Sequence, residues 1–315
     1  MPRYVLRRVM QFVIVLFLGS VAIWSIIYAV PGSPAVALIG PDATPEELAA
    51  AEHRLGLDRP IHEQYLAWLD RTLHFDLGTS IVNGVPVNTQ LLQRIPATIQ
   101  LTVFTMALSL AIAFPIGVFS ALRPRSFVTA LIGVYQAASL AVPTFWVGIL
   151  LVLAFSIERR LLPSVSRFVP FWSNPVEAVR NTLLPALSMA FYFSSVLSRF
   201  IAASVRETMG LEYVRTARSK GVPERYVVLR HILRNAVLPT VTVIGLQLGG
   251  LLGGAIVVEA VFSYPGLGRL LYSAVVARDY PLVQGAVLFA MLGFLTINLL
   301  VDIAYARLDP RVTLD

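Results

Sequence analysis

The stretch FVTALIGVYQAASLAVPTFWVGILLVLAFSI, Phe127 to Ile157, runs for 31 residues without one charged side chain. About 20 apolar residues suffice for a helix to cross the hydrocarbon core of a bilayer. This run is longer than a straight crossing needs, and Pro143 sits inside it. Its length leaves room for a tilt, a kink at Pro143 or an extension beyond the membrane.

Five further apolar runs flank it. They are Val9 to Val30, Ala97 to Leu122, about Asn181 to Ser198, about Val237 to Phe262 and Leu282 to Ala304. Only Glu259 in the fifth span and Asp302 in the sixth carry charge there. The fold class predicted from these runs is an all-α integral membrane protein with six transmembrane helices. The composition agrees. Charged residues make up 14% of the chain, against about 25% in soluble globular proteins, and mean hydropathy is +0.73. Cysteine is absent, which excludes disulfides, thiolate zinc sites and a cysteine nucleophile. The basic start MPRYVLRR resembles a signal-peptide n-region, but a 22-residue apolar run without a clear small-residue cleavage site favours an uncleaved first helix.

Orientation follows from the loop cations. With the N-terminus inside, the inner segments 1–8, 123–126, 199–236 and 305–315 hold 15 of the 25 basic residues. The longer outer segments hold the other 10 with 11 acids. Both termini are therefore predicted cytoplasmic. The chain divides into 1–96, a first span with an outer helical segment, and 97–315, a five-helix core with a loop at 206–236.

The outer segment 31–96 predicts two short helices. In ATPEELAAAEHRLGLDRP, Thr44 caps, Pro45 opens, Glu47 completes a capping box and Gly56 stops. In PIHEQYLAWLDRTLHF, the residues Ile61, Tyr65, Leu66, Trp68, Leu69 and Leu73 form one apolar side. Phe168, Phe171 and Trp172 of a second outer loop suit a membrane interface. A third outer loop, 263–281, predicts a turn and a short helix.

Signatures of catalysis are missing: there is no G-x-x-x-x-G-K-[ST], no H-E-x-x-H and no G-x-S-x-G. His53, His62, His74 and His231 are scattered on both sides of the predicted topology. Membrane acids carry a functional hypothesis because burying them is costly. Asp302 lies near an inner interface and reads as structural, whereas Glu259 beside a Gly/Pro turn stands open between a structural and a functional reading. Gly249/Gly253 and Gly250/Gly254 are small-xxx-small pairs for helix packing. A sharper reading makes Gln247, Gly250, Gly254 and Glu259 part of a polar solute pathway.

Residues 213–239, YVRTARSKGVPERYVVLRHILRNAVLP, carry seven basic side chains, counting His231, and one acid. ETMGLEYVRTARSKG predicts a helix stopped by Gly221, and PERYVVLRHILRNAVLP a second one opened by Pro223. Charge alone favours an anionic-lipid anchor. Nucleic-acid binding and docking to a cytoplasmic partner are the competitors.

Here the motif matters. R-T-A-R-S-K-G, 215–221, resembles the E-A-A-x-x-x-G core of binding-protein-dependent ABC importer permeases, in the R-T-A-x-x-K-G version of the dipeptide/oligopeptide/nickel branch. Thr216 replaces the first alanine, Arg215 stands in place of glutamate, and Leu238-Pro239 lies further downstream than in the general motif. VPGSPA (30–35), LGLDRPIHEQY (55–65), DLGTS (76–80), RIPATIQLT (94–102), RDYPLVQG (278–285) and LVDIAYARLDPRV (300–312) extend the likeness over nearly the whole chain.

The resemblance implies half of a transmembrane pathway in the plasma membrane of a prokaryote. It implies a second homologous permease, two cytoplasmic ATPase domains and an extracytoplasmic solute-binding protein. ATP and Mg would sit on those ATPases, with no cofactor, metal or catalytic residue in this chain and no nucleic acid partner. The implied coupling residues are Arg215, Thr216, Ala217, Arg218, Lys220, Gly221, Glu224 and Arg225, the cations pairing with acids on the ATPase. Tyr264, Pro265, Arg269 and Asp279 form the loop that would face binding protein or cargo. The implied cargo is a short peptide; nickel chelate, glutathione and haem are alternatives. A proton-coupled secondary transporter and an intramembrane enzyme are the rival classes.

Overall fold

The computed structural model describes residues 2–29, 35–36 and 43–308. VPGSPA falls almost wholly outside the described residues, as do Arg311 and the end of LVDIAYARLDPRV. The described chain is helical throughout, with a single bridge between Thr79 and Pro86 in place of any strand. The long helices are α1 (Pro2–Ala29), α4 (Val87–Leu122), α7 (Pro175–Met209), α9 (Arg234–Val261) and α11 (Tyr280–Leu308). Between them lie α2 (Pro45–Leu55), α3 (Ile61–Leu73), α5 (Phe127–Ala141), α6 (Thr144–Leu151), α8 (Glu212–Ser219) and α10 (Leu267–Val276).

The 31-residue apolar run is not one rod. Its halves meet at 105°. Proline lacks an N–H and pushes its predecessor out of the helical region. Val142 accordingly adopts φ −97°, ψ 123°, and the chain restarts at Thr144. The second half ends in a π-helical turn, Val152–Glu158. A second bent pair, 43°, joins 224–237 to 239–253 around Pro239. Four helical segments are long and apolar enough to cross a membrane unaided, and six result when each bent pair counts as one span.

The helix α4 begins ten residues before the expected span, and Pro96 and Pro115 lie within it. The division at 96/97 therefore falls inside a continuous helix, so no structural boundary separates the two predicted parts. α4 and α7 form the most extensively packed pair. The buried side of α7 is built largely of Ala178, Ala186, Ala190, Ser188, Ser194, Ser195 and Ser198. Small side chains let helices approach closely where no aqueous hydrophobic effect drives association. Their hydroxyls are satisfied nearby: Ser188 donates to Pro185 O at 2.8 Å and Ser198 to Ser195 O at 2.8 Å. Tyr135 of α5 donates to Phe191 O at 2.9 Å and Gln136 Nε2 to Ser198 Oγ at 2.9 Å, pinning α5 to α7.

The cap follows its sequence signals in part. Thr44 and Glu47 form the reciprocal capping box, and Gly56 ends α2 in the left-handed region at φ +69°. α3 departs from expectation: Ile61, Leu66 and Leu73 are exposed, and no residue of the helix is buried. Only its Tyr65 and Trp68 engage aromatic neighbours, Tyr65 lying 5.6 Å from the Trp24 ring and donating to or accepting from Ser20 at 2.9 Å. Periodicity marks an apolar side, but nothing in the sequence guarantees a partner to cover it. The aromatic loop also splits: Phe171 packs on Phe104 at 5.4 Å, whereas Trp172 is exposed. Asp302 pairs with Arg8 at 3.1 Å, joining α11 to α1.

Candidate functional site

The helix α8 stands at the end of the bundle opposite the cap. The expected continuous helix from Glu207 is broken, because Gly210 ends α7 and Leu211 is extended at φ −74°, ψ 145°. Residues 207–209 thus belong to the span. Eight residues remain, held from beneath by fully buried Val214 and half-buried Ala217. Tyr213 adds a lateral tie, accepting from Asn235 Nδ2 at 2.9 Å and donating to His231 O at 3.3 Å.

At Gly221 the chain reverses with φ +75°, where an L side chain is strained. Its N–H donates to Arg218 O at 2.9 Å and that of Val222 to Ala217 O at 3.3 Å, closing the helix end. The segment after Pro223 is not a separate surface helix. It passes through a short helical turn, Glu224–Tyr226, and a π-helical stretch, Val227–Leu233, directly into α9. Only the short turn 220–223 separates α8 from the segment that runs into α9.

The eight residues expected to couple fall together in one stretch, 215–225, most of them exposed, and its charges are paired differently from expectation. Arg218 grips Glu224 across the turn in a bidentate pair, Nε to Oε2 at 3.1 Å and Nη2 to Oε1 at 2.7 Å. Arg215 pairs with Glu212 at 2.9 Å. These two cations are matched inside the chain, and Lys220 and Arg225 are exposed. Arg215 in place of an acid is balanced by Glu212 one turn earlier, a compensation visible in the sequence as an i,i+3 pair.

Arg218 holds the Glu224 carboxyl below its usual range, through hydrogen bonding first and charge second. For a carboxylate with a depressed folded pKa, the stabilisation is present above the unfolded value, about 4.3, and disappears as pH falls through the lowered folded value. The clip is thus expected to persist throughout the neutral range. Carboxyl carbon resonances of the purified chain report this directly, and a Glu224 titrating at or above about 4.3 rules the clip out.

The expected pathway residues separate. Gly249 packs against Phe294 of α11, where a Cβ would lie 2.8 Å from the ring, so it serves helix packing. Gly250 is exposed on another side of α9, Gln247 is half-buried, and Gly254 lies one turn beyond Gly250. Glu259 offers no surface to a solute: it is fully buried. Its Oε1 accepts from Thr98 Oγ1 at 2.9 Å and its Oε2 from Arg269 N–H at 3.0 Å, with Gly268 N–H as a further donor. Thr98 Oγ1 in turn accepts from Leu267 N–H at 2.8 Å. One carboxylate therefore ties α4, α9 and the start of α10 together.

The loop expected to face binding protein or cargo is also divided. Tyr264 and Asp279 are buried, while Arg269 is exposed and Pro265 half-buried. Asp279 accepts from Ser80 Oγ and from the Ile81 N–H at 3.3 Å, and also caps α11 at Leu282 N–H. Both Tyr264 and Asp279 are thus turned into the interior, and Asp279 ties the 80–81 segment to the start of α11. Sequence reasoning missed Thr98, the partner of Glu259, and Ser80, the partner of Asp279, although both lie in stretches quoted above, RIPATIQLT and DLGTS. Their pairing spans more than 150 residues of chain and leaves no local signal.

Residues 113–314 match the family described as binding-protein-dependent transport system inner membrane component. Residues 1–102 match the N-terminal family of that same transport-system description. The chain is 37% identical over 312 residues, 99% of each sequence, to the glutathione transport system permease protein GsiC of Salmonella typhimurium. It is 39% identical over 318 residues, 100% of each, to a Brucella abortus protein provisionally named peptide transport system permease protein. A crystal structure of an amino acid ABC transporter with histidines covers 70% of this chain and 94% of its own, at 17% identity and a TM-score of 0.49.

Proposed function

Because this chain belongs to the family of binding-protein-dependent transport system inner membrane components, and is thus a multi-pass permease subunit of an ABC import system, we propose that it carries short peptides and draws on ATP hydrolysis through α8. The observation that carries the coupling reading is an exposed eight-residue helix, seated by buried Val214 and joined through the tight Gly221 turn to the segment that runs into α9. Both features are what a lever needs: a surface for a partner and a stiff connection to a span. Lys220 and Arg225 offer charge to acids of two ATPase domains, which would carry ATP and Mg. ATP-driven closure of those domains would bias the pathway between inward-open and outward-open states through differential binding. In this reading both termini face the cytoplasm with α8, and the cap faces outward with the solute-binding protein. A second homologous permease completes the pathway, to which exposed Gly250 contributes.

Glutathione is supported as a specific cargo by the relatives named for its transport. It is itself a tripeptide, so the two readings differ in selectivity and not in class.

Vesicles reconstituted with the permease pair, its ATPases and its binding protein are expected to accumulate labelled dipeptide only with ATP inside the ATPase compartment. Uptake that survives ATPase removal but collapses with a protonophore would overturn the reading in favour of a secondary transporter.

A further inference from the structure

Three of the stretches quoted for the family likeness, LGLDRPIHEQY, DLGTS and RDYPLVQG, are far apart in sequence and are not used by the coupling site. They converge on one cavity at the cap end, about 440 Å³ in volume. Small-molecule sites span roughly 300–1,000 Å³. The floor consists of buried Trp24 from α1 and of Tyr280 and Gln284 from the start of α11. Trp68 of α3 supplies an aromatic wall, and Arg59, Arg71 and Asp76 stand around the mouth.

The cavity is a built feature. Gln284 Nε2 donates to Trp24 O at 3.2 Å, fixing α11 to α1 in the floor. Gln64 Nε2 donates to Leu57 O and Arg59 O, holding the α2–α3 turn at the rim. The Asp279 contact with Ser80 and Ile81 holds the 76–81 loop against α11.

Two arginines, Arg59 and Arg71, and one carboxylate, Asp76, are the charged residues that line it. Arg71 has no ion-pair partner among the described residues. Asp76 uses Oδ1 to accept from Gly78 N–H at 2.9 Å, leaving Oδ2 for a second donor. An unpaired guanidinium is a strong carboxylate ligand, and a lone carboxylate suits an ammonium. The aromatic lining of Trp24, Trp68 and Tyr280 suits an apolar side chain.

We propose that this cavity binds a short zwitterionic peptide, its terminal carboxylate on Arg71 and its terminal ammonium on Asp76, as a receiving site on the permease itself. The assignment rests on the peptide reading above. The site lies at the opposite end of the bundle from α8 and is separate from the small-residue surface around Gly250.

The test uses the full chain in nanodiscs, without binding protein, titrated with alanyl-phenylalanine, its C-terminal amide and its N-acetyl form. A hydrogen bond to a charged group contributes about 1.5–3 kcal/mol, so Arg71→Gln is expected to weaken the free dipeptide about ten- to hundredfold. The amide should bind the wild type equally weakly and lose nothing further in Arg71→Gln. Asp76→Asn, which keeps the Oδ1 acceptor for Gly78, should show the same pattern with the N-acetyl form. Absence of dipeptide binding to the wild type, or wild-type affinity for the free dipeptide in either variant, overturns the site. If the reconstituted transporter imports dipeptide while the cavity binds none, the cavity proposal alone falls. If the cavity binds dipeptide but the transporter does not import it, the cargo reading falls and the site stands.

Discussion

Replacing Gly221 with proline, or Ala217 with tryptophan, is expected to reduce uptake and transport-coupled ATP hydrolysis to background while membrane insertion stays intact. Gly221 sits at φ +75°, whereas the proline ring fixes φ near about −65°. The substitution also deletes the N–H that closes α8 on Arg218 O. The Arg218–Glu224 clip spans this same turn, so a changed turn misplaces both ends of the docking loop. A coupling loss of about 3 kcal/mol corresponds to roughly 150-fold, enough to hide transport in a vesicle assay. Ala217 is half-buried beneath α8, and an indole there lifts the helix from its seat. Gly221→Ala should be intermediate, since a left-handed alanine costs about 1–2 kcal/mol. Uptake and ATPase rates in reconstituted vesicles, with protease accessibility of the loops as the insertion control, decide the matter. Wild-type transport by either severe variant would sink the docking role of α8.

The second large effect is expected at Glu259. Glu259→Leu removes the acceptor for Thr98 and for the Arg269 and Gly268 N–H groups. Each buried group left unsatisfied costs about 1–3 kcal/mol, so a total loss of about 3 kcal/mol or more is expected. Glu259→Gln retains one acceptor oxygen and should lose less. Thr98→Val should fall between them, because it also orphans Leu267 N–H. Thermal unfolding of the purified chain in one detergent ranks the three. Equal stability of Glu259→Leu and wild type removes the clamp assignment.

Membrane character, the positions of the long helices, the α2 capping box and the Gly221 stop were all legible in the sequence. Each depends on local chemistry: a run of apolar side chains, a hydroxyl three residues before a glutamate, a residue without a Cβ. The short helix before Gly221 was legible too, because its residues lie within one stretch of chain. The 36-residue reach of α4 was obscured because its first turns, from Val87 to Pro96, carry polar residues and a proline that masked their helical continuity.

The burial of Glu259, Tyr264 and Asp279 was decided only by the tertiary structure. From the sequence, an acid beside a membrane turn is equally suited to touching solute and to capping a neighbour. What separates the two is whether distant hydroxyls and N–H groups arrive to satisfy it, and Thr98 and Ser80 come from the far end of the chain. The apolar side of α3 shows the reverse case: Ile61, Leu66 and Leu73 of the stripe written in the sequence stay exposed among the described residues. Local patterns determine which segments are helices and which sides are greasy. Which of those sides meet, and which buried charges find donors, depends on contacts between elements that sequence spacing does not encode.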